Sequence, residues 1–393
     1  MQNPDVIVVG AGPVGLASAV GARLAGLRVV VVDPRPSPVD KACGEGLMPG
    51  ALAELERLGI DPHGHPITGI TYRSGGHVAA HDFAEACGRG VRRTELSRAL
   101  HERAVSLGVD FAEARVTSLV QDARGVRVAL GDGSSIRGRW LLGCDGLHST
   151  VRRLAGLELA AARPPARAGG AGGAGGAGGA AGAHAVKRYG LRRHYRLAPW
   201  SSRVEVFWGE GFELYVTPVD DGLVGVALLG PRGLELESAI ETIPELAERL
   251  RGVATDGAVA GAGVLRQRVA AHSAGRVLLV GDASGYVDAL TGEGMRVGFA
   301  QAAAAVKVIV EHRGNDGRGV PRARAGSGAQ PATAAVARPV VAYERAWRRA
   351  SGTANRFTMA LLLASKSPLR RAIVPVAAKV PAVFAAAVEV IAR

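Results

Sequence analysis

The chain has 393 residues, of which 48% are hydrophobic and 21% charged, with a formal charge of +13. At roughly 150 residues per domain this is material for two or three domains or one large composite with a real core, so whole-chain disorder is excluded. Its three cysteines, Cys43, Cys87 and Cys144, form no C-x-x-C pair, which excludes a disulfide scaffold.

The positive charge is local. Residues 160–200 hold seven Lys and Arg with no acid, and residues 312–349 hold eight Arg with two acids, which accounts for the whole excess. Aromatic residues make up 4%, and the basic runs lack the aromatic interleaving of a single-strand binder, so no nucleic-acid partner is expected. Weak attraction to an anionic membrane is the alternative use of such charge, as a peripheral contact. No basic leader precedes the first apolar strand, and the run Val380–Val388 is nine residues against the ~20 a spanning helix needs. A soluble, cytoplasmic protein is expected.

In chain order, Val6–Val9 reads as a buried strand, Gly15 to Ala25 as a helix and Arg28 to Val32 as a second buried strand, a βαβ opening that implies a parallel sheet. Thr94 to Leu107 reads as a helix stopped by Gly108. Alternating strands follow at Val116–Val120 and Val126–Leu130, with Asp132-Gly133 as a further hairpin signal. Residues 168–183 are only Gly and Ala and are expected to be flexible, as is a second loose stretch from Gly314 to Arg338. Between them lies an antiparallel run at Arg203–Trp208, Phe212–Val219 and Leu223–Leu229. Then come a short buried strand at Val277–Val280, a helix through about Glu311, and a helical C-terminal segment.

Three glycine–aspartate stations punctuate these elements. Gly10-Ala11-Gly12-Pro13-Val14-Gly15 joins the first strand to the first helix. Gly10 permits the tight turn, Gly12 lets a pyrophosphate approach the backbone, and Gly15 lets helix and strand pack closely. The helix N-terminus offers free N–H groups and roughly +0.5 charge to phosphates. Asp33, eighteen residues beyond Gly15, is placed to accept hydrogen bonds from a ribose. A second match, Gly170-Gly172-Gly175, has neither strand nor acid and is discarded. At the second station a short strand delivers Asp145-Gly146 ahead of Ser149, which equally suits an ordinary capped turn. At the third, Gly281-Asp282 ends a strand and Gly292-Glu293-Gly294-Met295 opens a helix whose N-terminus suits negative charge on a reduced ring.

The three stations, in this order and spacing, resemble the fingerprints of flavoproteins with the para-hydroxybenzoate hydroxylase fold, over about residues 1–155 and 186–312. That superfamily includes class A flavoprotein monooxygenases and geranylgeranyl reductase-like enzymes. The resemblance implies that Gly10, Gly12, Pro13, Gly15 and Asp33 hold the ADP half of FAD. It further implies that Arg93 contacts its phosphates, and that Asp145 and Gly146 lie near the pyrophosphate and a nicotinamide entry groove. Gly281 and Asp282 then serve the ribityl chain, with Gly292, Gly294 and Met295 nearby. NADPH or NADH would be a transient electron donor, since only one credible dinucleotide fold is present.

Lys41-Ala42-Cys43-Gly44-Glu45-Gly46-Leu47 resembles the cysteine–glycine segment of the reductase-like branch, which makes Cys43 the candidate catalytic residue. Gly285 and Ala289 also depart from many monooxygenases. Glu45 reads as an acid or as a cap for the next helix, Cys87 and Cys144 as packed thiols, and the histidines at 63, 65, 77 and 81 as surface residues rather than metal ligands. No metal site is expected.

The expected fold is α/β: a Rossmann-type FAD-binding domain (1–60, 86–160 and 271–312) interrupted by a mixed or antiparallel-sheet substrate domain (61–85 and 186–270). Low-complexity insertions at 161–185 and 313–338 and a helical segment at 339–393 complete it. The expected function is NAD(P)H-dependent monooxygenation, hydroxylating or epoxidising an apolar or aromatic small molecule. The alternatives are a geranylgeranyl reductase-like enzyme reducing carbon–carbon double bonds, and a non-catalytic FAD-binding or membrane-associated module.

Overall fold

A computed structural model describes residues 3–122, 124–159, 187–313 and 332–393. The Gly/Ala tract and the loose stretch up to residue 331 lie outside them. The helices among the described residues are, in chain order, α1 (Pro13–Leu24), α2 (Pro49–Arg57), α3 (Arg93–Ser106), α4 (Thr150–Leu154), α5 (Leu236–Glu241), α6 (Pro244–Leu250), α7 (Gly294–Glu311), α8 (Ala332–Ser365), α9 (Arg370–Lys379) and α10 (Pro381–Ala392). Because α8 starts at Ala332, the last residues of the stretch expected to be loose are helical.

The βαβ opening belongs to a six-stranded sheet. Its strand order is Ser273–Ala274, Val277–Leu279, Trp140–Gly143, Val6–Val9, Val29–Val32, Asp110–Ala112, all parallel except the first, which pairs antiparallel with its neighbour. Strand Val6–Val9 shows why a continuous apolar run was needed. Val6 and Val8 point to one face and join α1, α3 and α7 in a core with Leu16, Val20, Leu96, Leu100 and Phe299. Ile7 and Val9 point to the other and meet Val116, Val126, Val128 and Leu130 of a three-stranded antiparallel sheet. A strand covered on both faces cannot alternate polar and apolar residues.

The second large sheet has seven strands in the order Thr255–Gly263, Arg188–Tyr195, Leu223–Pro231, Glu213–Asp220, Arg203–Trp208, Gly69–Ser74, His77–Asp82. Its pairings are antiparallel except Arg203–Trp208 with Gly69–Ser74, which run parallel. One face packs on α5 and α6 through Phe207, Leu214, Val226, Ile240 and Leu246. The other packs on α8 to α10, where Ile70, Tyr72, Val204 and Val206 meet Leu362, Val374, Phe384 and Val388. The fold is thus the α/β arrangement expected, with a helical C-terminal segment laid on the second sheet.

A buried ionic node fastens that segment. Glu213, fully buried, accepts from Arg188 on the neighbouring part of the sheet and from Nη1 of Arg370 on α9 at 2.7 Å. Arg188 also reaches Asp288 at 3.3 Å, and Arg370 further donates to the Gly209 and Phe212 carbonyls. Removing one member of a buried ion set leaves the others uncompensated, which typically costs about 3–5 kcal/mol. Glu213→Ala is therefore expected to lower unfolding stability by about that amount, read as the loss in urea midpoint multiplied by the slope. A loss under about 1 kcal/mol would show that the two arginines find water instead.

Candidate functional site

A cavity of about 720 Å³ lies where the carboxyl ends of the parallel strands face the seven-stranded sheet. Strand Val6–Val9 has Val29–Val32 on one side and Trp140–Gly143 on the other, so the chain leaves it at a topological switch point, the place where open α/β sheets bind ligands. One part of the lining is polar and comes from the glycine–aspartate stations. The other is apolar, with Met48, Val204, Tyr215, Ala227, Leu229 and Leu265. Of the residues singled out in the sequence, Gly10, Gly12, Pro13, Asp33, Cys43, Arg93, Asp145, Gly146, Gly281, Asp282, Gly292, Gly294 and Met295 all line this one cavity.

Gly15 does not line it, and its reason is packing. A Cβ there would sit 1.9 Å from the Gly10 carbonyl oxygen, so any other residue would push α1 off the strand. Gly10 itself has φ +107°, open only to glycine, and a Cβ on it would lie 2.5 Å from the Cys144 carbonyl oxygen. Gly12 is the N-cap of α1 and provides no side-chain cap, while Pro13 occupies the first turn. The helix therefore ends in uncapped N–H groups facing the cavity. Arg93 stands opposite, its Nη2 3.8 Å from where a Gly12 Cβ would be and its buried Nε without a hydrogen-bond partner among the described residues. An unsatisfied guanidinium nitrogen beside an uncapped helix end fits an anionic pyrophosphate, so the residues present suit FAD.

Asp33 accepts from the Ala11 N–H at 2.8 Å and from Arg35 through its backbone N–H, Nε and Nη2, each at 3.0 Å. Burial works to raise its pKa, but the Arg35 side chain and the two backbone donors outweigh burial and hold the carboxyl below the usual range. A ribose would share this carboxylate with Arg35, which also lines the cavity. Asp282 has the opposite balance. Burial raises it, and Lys41 and Arg93 only partly counter that.

Asp145 lines the cavity, yet its carboxylate is occupied by its own turn. It accepts from the Ser149 hydroxyl at 2.5 Å and from the N–H groups of Thr150 and Val151 at 2.6 and 3.0 Å, while Ser149 caps Arg152. The ordinary capped-turn reading of this station thus describes its side chains, and Gly146 lines the cavity beside it. At the third station Gly292, with φ +69°, leads into α7, whose N-terminus has no side-chain cap and points to the same space.

Glu45 neither caps α2 nor stands free. It is 1% exposed and the one described non-glycine residue at positive φ, +59°, a sign of locally stored strain. Its Oε1 accepts the Arg93 N–H at 2.8 Å, its Oε2 meets His194 Nε2 at 2.6 Å, and its own N–H contacts Cys43 Sγ at 3.4 Å. Arg192 Nη1 lies 3.1 Å from His194 Nδ1, and a guanidinium only donates. His194 Nδ1 is therefore the acceptor, and Nε2 carries the proton donated to Glu45. Arg192 in turn binds the half-exposed Asp40 at 2.5 Å. The sequence reading missed Arg192 and His194. Their signal was the alternation Arg188, Gly190, Arg192, His194, which puts all four on one strand face.

The cysteines divide by environment. Burial raises the Cys43 thiol despite the opposing Arg93 charge, so it is held as a thiol rather than a reactive thiolate. Cys144, near the Ser18 hydroxyl, is pushed up to about 12, chiefly by burial. Cys87, expected to be packed, is exposed, because it lies in the connection between strands His77–Asp82 and Gly88–Gly90. Among the described residues no group of three or more His, Cys, Asp or Glu could hold a metal.

Two tests follow from this geometry. A raised thiol pKa lowers the thiolate fraction at any given pH, so iodoacetamide at neutral pH should modify Cys87 first, Cys43 much more slowly and Cys144 last, read by peptide mass spectrometry. His194→Leu removes the donor to a buried carboxylate, expected to cost about 2–3 kcal/mol of stability and to quicken Cys43 alkylation by freeing its loop. His194→Gln, which keeps an N–H donor, should restore most of both. Equal behaviour of the two variants would make the Glu45 contact incidental.

Residues 3–193 match the family model described as FAD binding domain. The chain is 37% identical over 158 residues to a rifampicin monooxygenase of Rhodococcus hoagii, covering 38% of this chain and 33% of that protein. It is 29% identical over 336 residues to a menaquinone reductase of Mycobacterium tuberculosis, covering 78% and 77%. The match thus spans only about a third of the rifampicin monooxygenases' length. In fold, it superposes on pqsL, a probable FAD-dependent monooxygenase from Pseudomonas aeruginosa, with a TM-score of 0.68 at 20% identity, covering 95% of this chain and 99% of that one.

Proposed function

We propose that the chain, whose residues 3–193 match an FAD binding domain, is a flavoprotein of the para-hydroxybenzoate hydroxylase-fold superfamily and, within it, an FAD-dependent monooxygenase that takes electrons from NADPH or NADH and oxygenates an apolar or aromatic small molecule. The observation that carries this reading is one cavity with two chemistries: the glycine–aspartate stations and Arg93 at one part and an aliphatic and aromatic wall at the other.

In this reading Gly10, Gly12, Pro13 and the α1 N-terminus, with Arg93, hold the FAD pyrophosphate. Asp33 holds the ribose, Gly281 and Asp282 the ribityl chain, and Gly146 lies along the way. Gly15 acts through packing. FAD, when bound, supplies the two-electron chemistry and the reaction with dioxygen, while the protein positions and insulates. The α7 N-terminus at Gly292, Gly294 and Met295 places partial positive charge where a ring system gains electrons. Tyr215, whose hydroxyl donates to the Leu290 carbonyl at 2.8 Å, keeps an apolar ring face in the wall, and with Met48, Val204 and Leu229 it orients an apolar substrate and excludes water. Cys43 enters as a neutral thiol at the cavity wall.

The longer alignment with a menaquinone reductase keeps a reductase as the competing outcome, and reduction of a carbon–carbon double bond is the form of it that the Cys43-Gly44 segment suggests. An anaerobic NADPH titration followed by readmission of oxygen separates them. Bleaching of an oxidised-flavin spectrum and then a transient species before reoxidation, with oxygen incorporated into an aromatic test compound, is the expected result. Loss of a substrate double bond under strict anaerobiosis would establish the reductase instead, and absence of flavin from the purified chain would overturn both. Arg93→Ala removes a charge-assisted contact worth about 1.5–3 kcal/mol, so FAD should bind about 10- to 100-fold more weakly by fluorescence titration.

A further inference from the structure

The C-terminal helices have two faces of different character. Inward, Leu362 of α8, Val374 and Ala377 of α9, and Phe384, Val388 and Ile391 of α10 belong to the core on the seven-stranded sheet. Outward, they leave large aliphatic side chains in solvent. Of the thirteen such side chains exposed among the described residues, five fall between 363 and 383: Leu363, Leu369, Val376, Val380 and Val383, from 44% to 64% exposed. Leu369, Val376 and Val380 are spaced i, i+7, i+11, so they form one stripe along α9 and its two flanking residues.

Exposed cations on the same outer surface of α9 are Arg371 and Lys379, while Arg370 is turned inward to Glu213 and Lys366 lies within electrostatic reach of the Arg188, Asp288 and Glu213 node. No acid occurs from 345 to 388, and Glu389 is held by His81 at 3.0 Å. That charge pattern selects the partner. A second copy meeting the first through this face would set cation against cation. An anionic surface would not, and aliphatic side chains bordered by Lys and Arg match the headgroup–acyl boundary of a bilayer.

Spanning is not the geometry. α9 and α10 have 10 and 12 residues and meet at 107°, about 15 and 18 Å of helix against a ~30 Å hydrocarbon layer. Among the described residues no single helix is long and apolar enough to cross a membrane.

We propose that the outer face of α9, with the adjoining ends of α8 and α10, docks this protein on the surface of an anionic lipid bilayer. The inner faces of these helices share a core cluster with Met48 and Val204, which line the cavity, so docking sets the apolar part of the cavity one helix layer from the lipid. The docking does not depend on which reaction the flavin performs.

The test is co-sedimentation of the full chain with vesicles of phosphatidylcholine alone and with equal parts of phosphatidylglycerol. Binding is expected only with phosphatidylglycerol and should weaken as salt rises. Leu369→Ser with Val376→Ser and Val380→Ser should weaken it about tenfold or more at fixed salt. Arg371→Glu with Lys379→Glu should abolish the preference for phosphatidylglycerol, and Val120→Glu, an exposed change on a different sheet, should do nothing. Thermal unfolding by circular dichroism checks each variant, and if the serine set unfolds, Val376→Glu alone replaces it. Failure of the unaltered chain to bind phosphatidylglycerol vesicles overturns the proposal, as does unweakened binding by the serine set. A dimer in lipid-free solution that the serine set splits into monomers would assign the stripe to self-association instead.

Discussion

The close approach of α1 to the first strand governs what the rest of the molecule can do. Gly15 lies so near the Gly10 carbonyl that even a methyl group would collide, and Gly10 lies as near the backbone of Cys144. Three backbones therefore meet without side chains between them, and the amino end of α1 is carried to the carboxyl edge of the sheet. Because Gly12 offers no capping side chain, the N–H groups there stay unused by the chain. The same edge collects Asp33 from the second strand and Gly281 and Asp282 from the strand two places away. A parallel sheet gives this convergence without further contrivance, since all of its forward-running strands end on one side.

The second sheet has to be held against that edge, and Glu45 is the joint. Its short loop is bound to the α3 terminus through the Arg93 N–H and to the seven-stranded sheet through His194. The left-handed backbone at Glu45 turns its carboxylate inward while its neighbours Cys43 and Gly44 remain on the cavity wall. Arg192 fixes the histidine tautomer so that the donated proton points at the carboxylate. Position at the wall is thus controlled by a charge network that reaches solvent at Asp40, rather than by packing alone.

What could be read from the sequence was what local chemistry dictates. Gly10 and Gly15 declare themselves because a backbone turn and a tight packing demand glycine, and the phosphate approach proposed for Gly12 and the ribose contact proposed for Asp33 each demand one residue type at one spacing. The apolar runs at Val6–Val9 and Val29–Val32 declared a sheet covered on both faces. Arg192 and His194 were not legible, because their meaning depends on which strand face meets Glu45, a contact across 149 residues of sequence for His194. Asp145 was ambiguous for the opposite reason. An Asp before Ser149 serves a turn as readily as a ligand, and the fold spends its carboxylate on the turn. Cys87 was misplaced because composition predicts that cysteines are buried on average, while a short connection between two strands exposes this one.

The C-terminal helices show how one segment can be tied inward and still leave work for its outer surface. Glu213 lies fully buried within the sheet, and Arg370 reaches it from the start of α9, so the segment's position is set by a charge contact that tolerates little displacement. Thr358 of α8 bonds Thr291 at 2.8 Å, immediately before the residues that open α7 at the cavity. The helical cover is thereby linked to the same turn that presents Gly292 and Gly294. With its inner face fixed by ions and hydrogen bonds, the helix pair does not need the aliphatic side chains of its outer face for folding. Those side chains would cost less free energy beneath lipid headgroups than in water, and the cations beside them lower that cost only if the headgroups are anionic. The chain therefore carries on one short segment both the tether that closes its core and the exposed aliphatic face for which an anionic lipid surface is proposed.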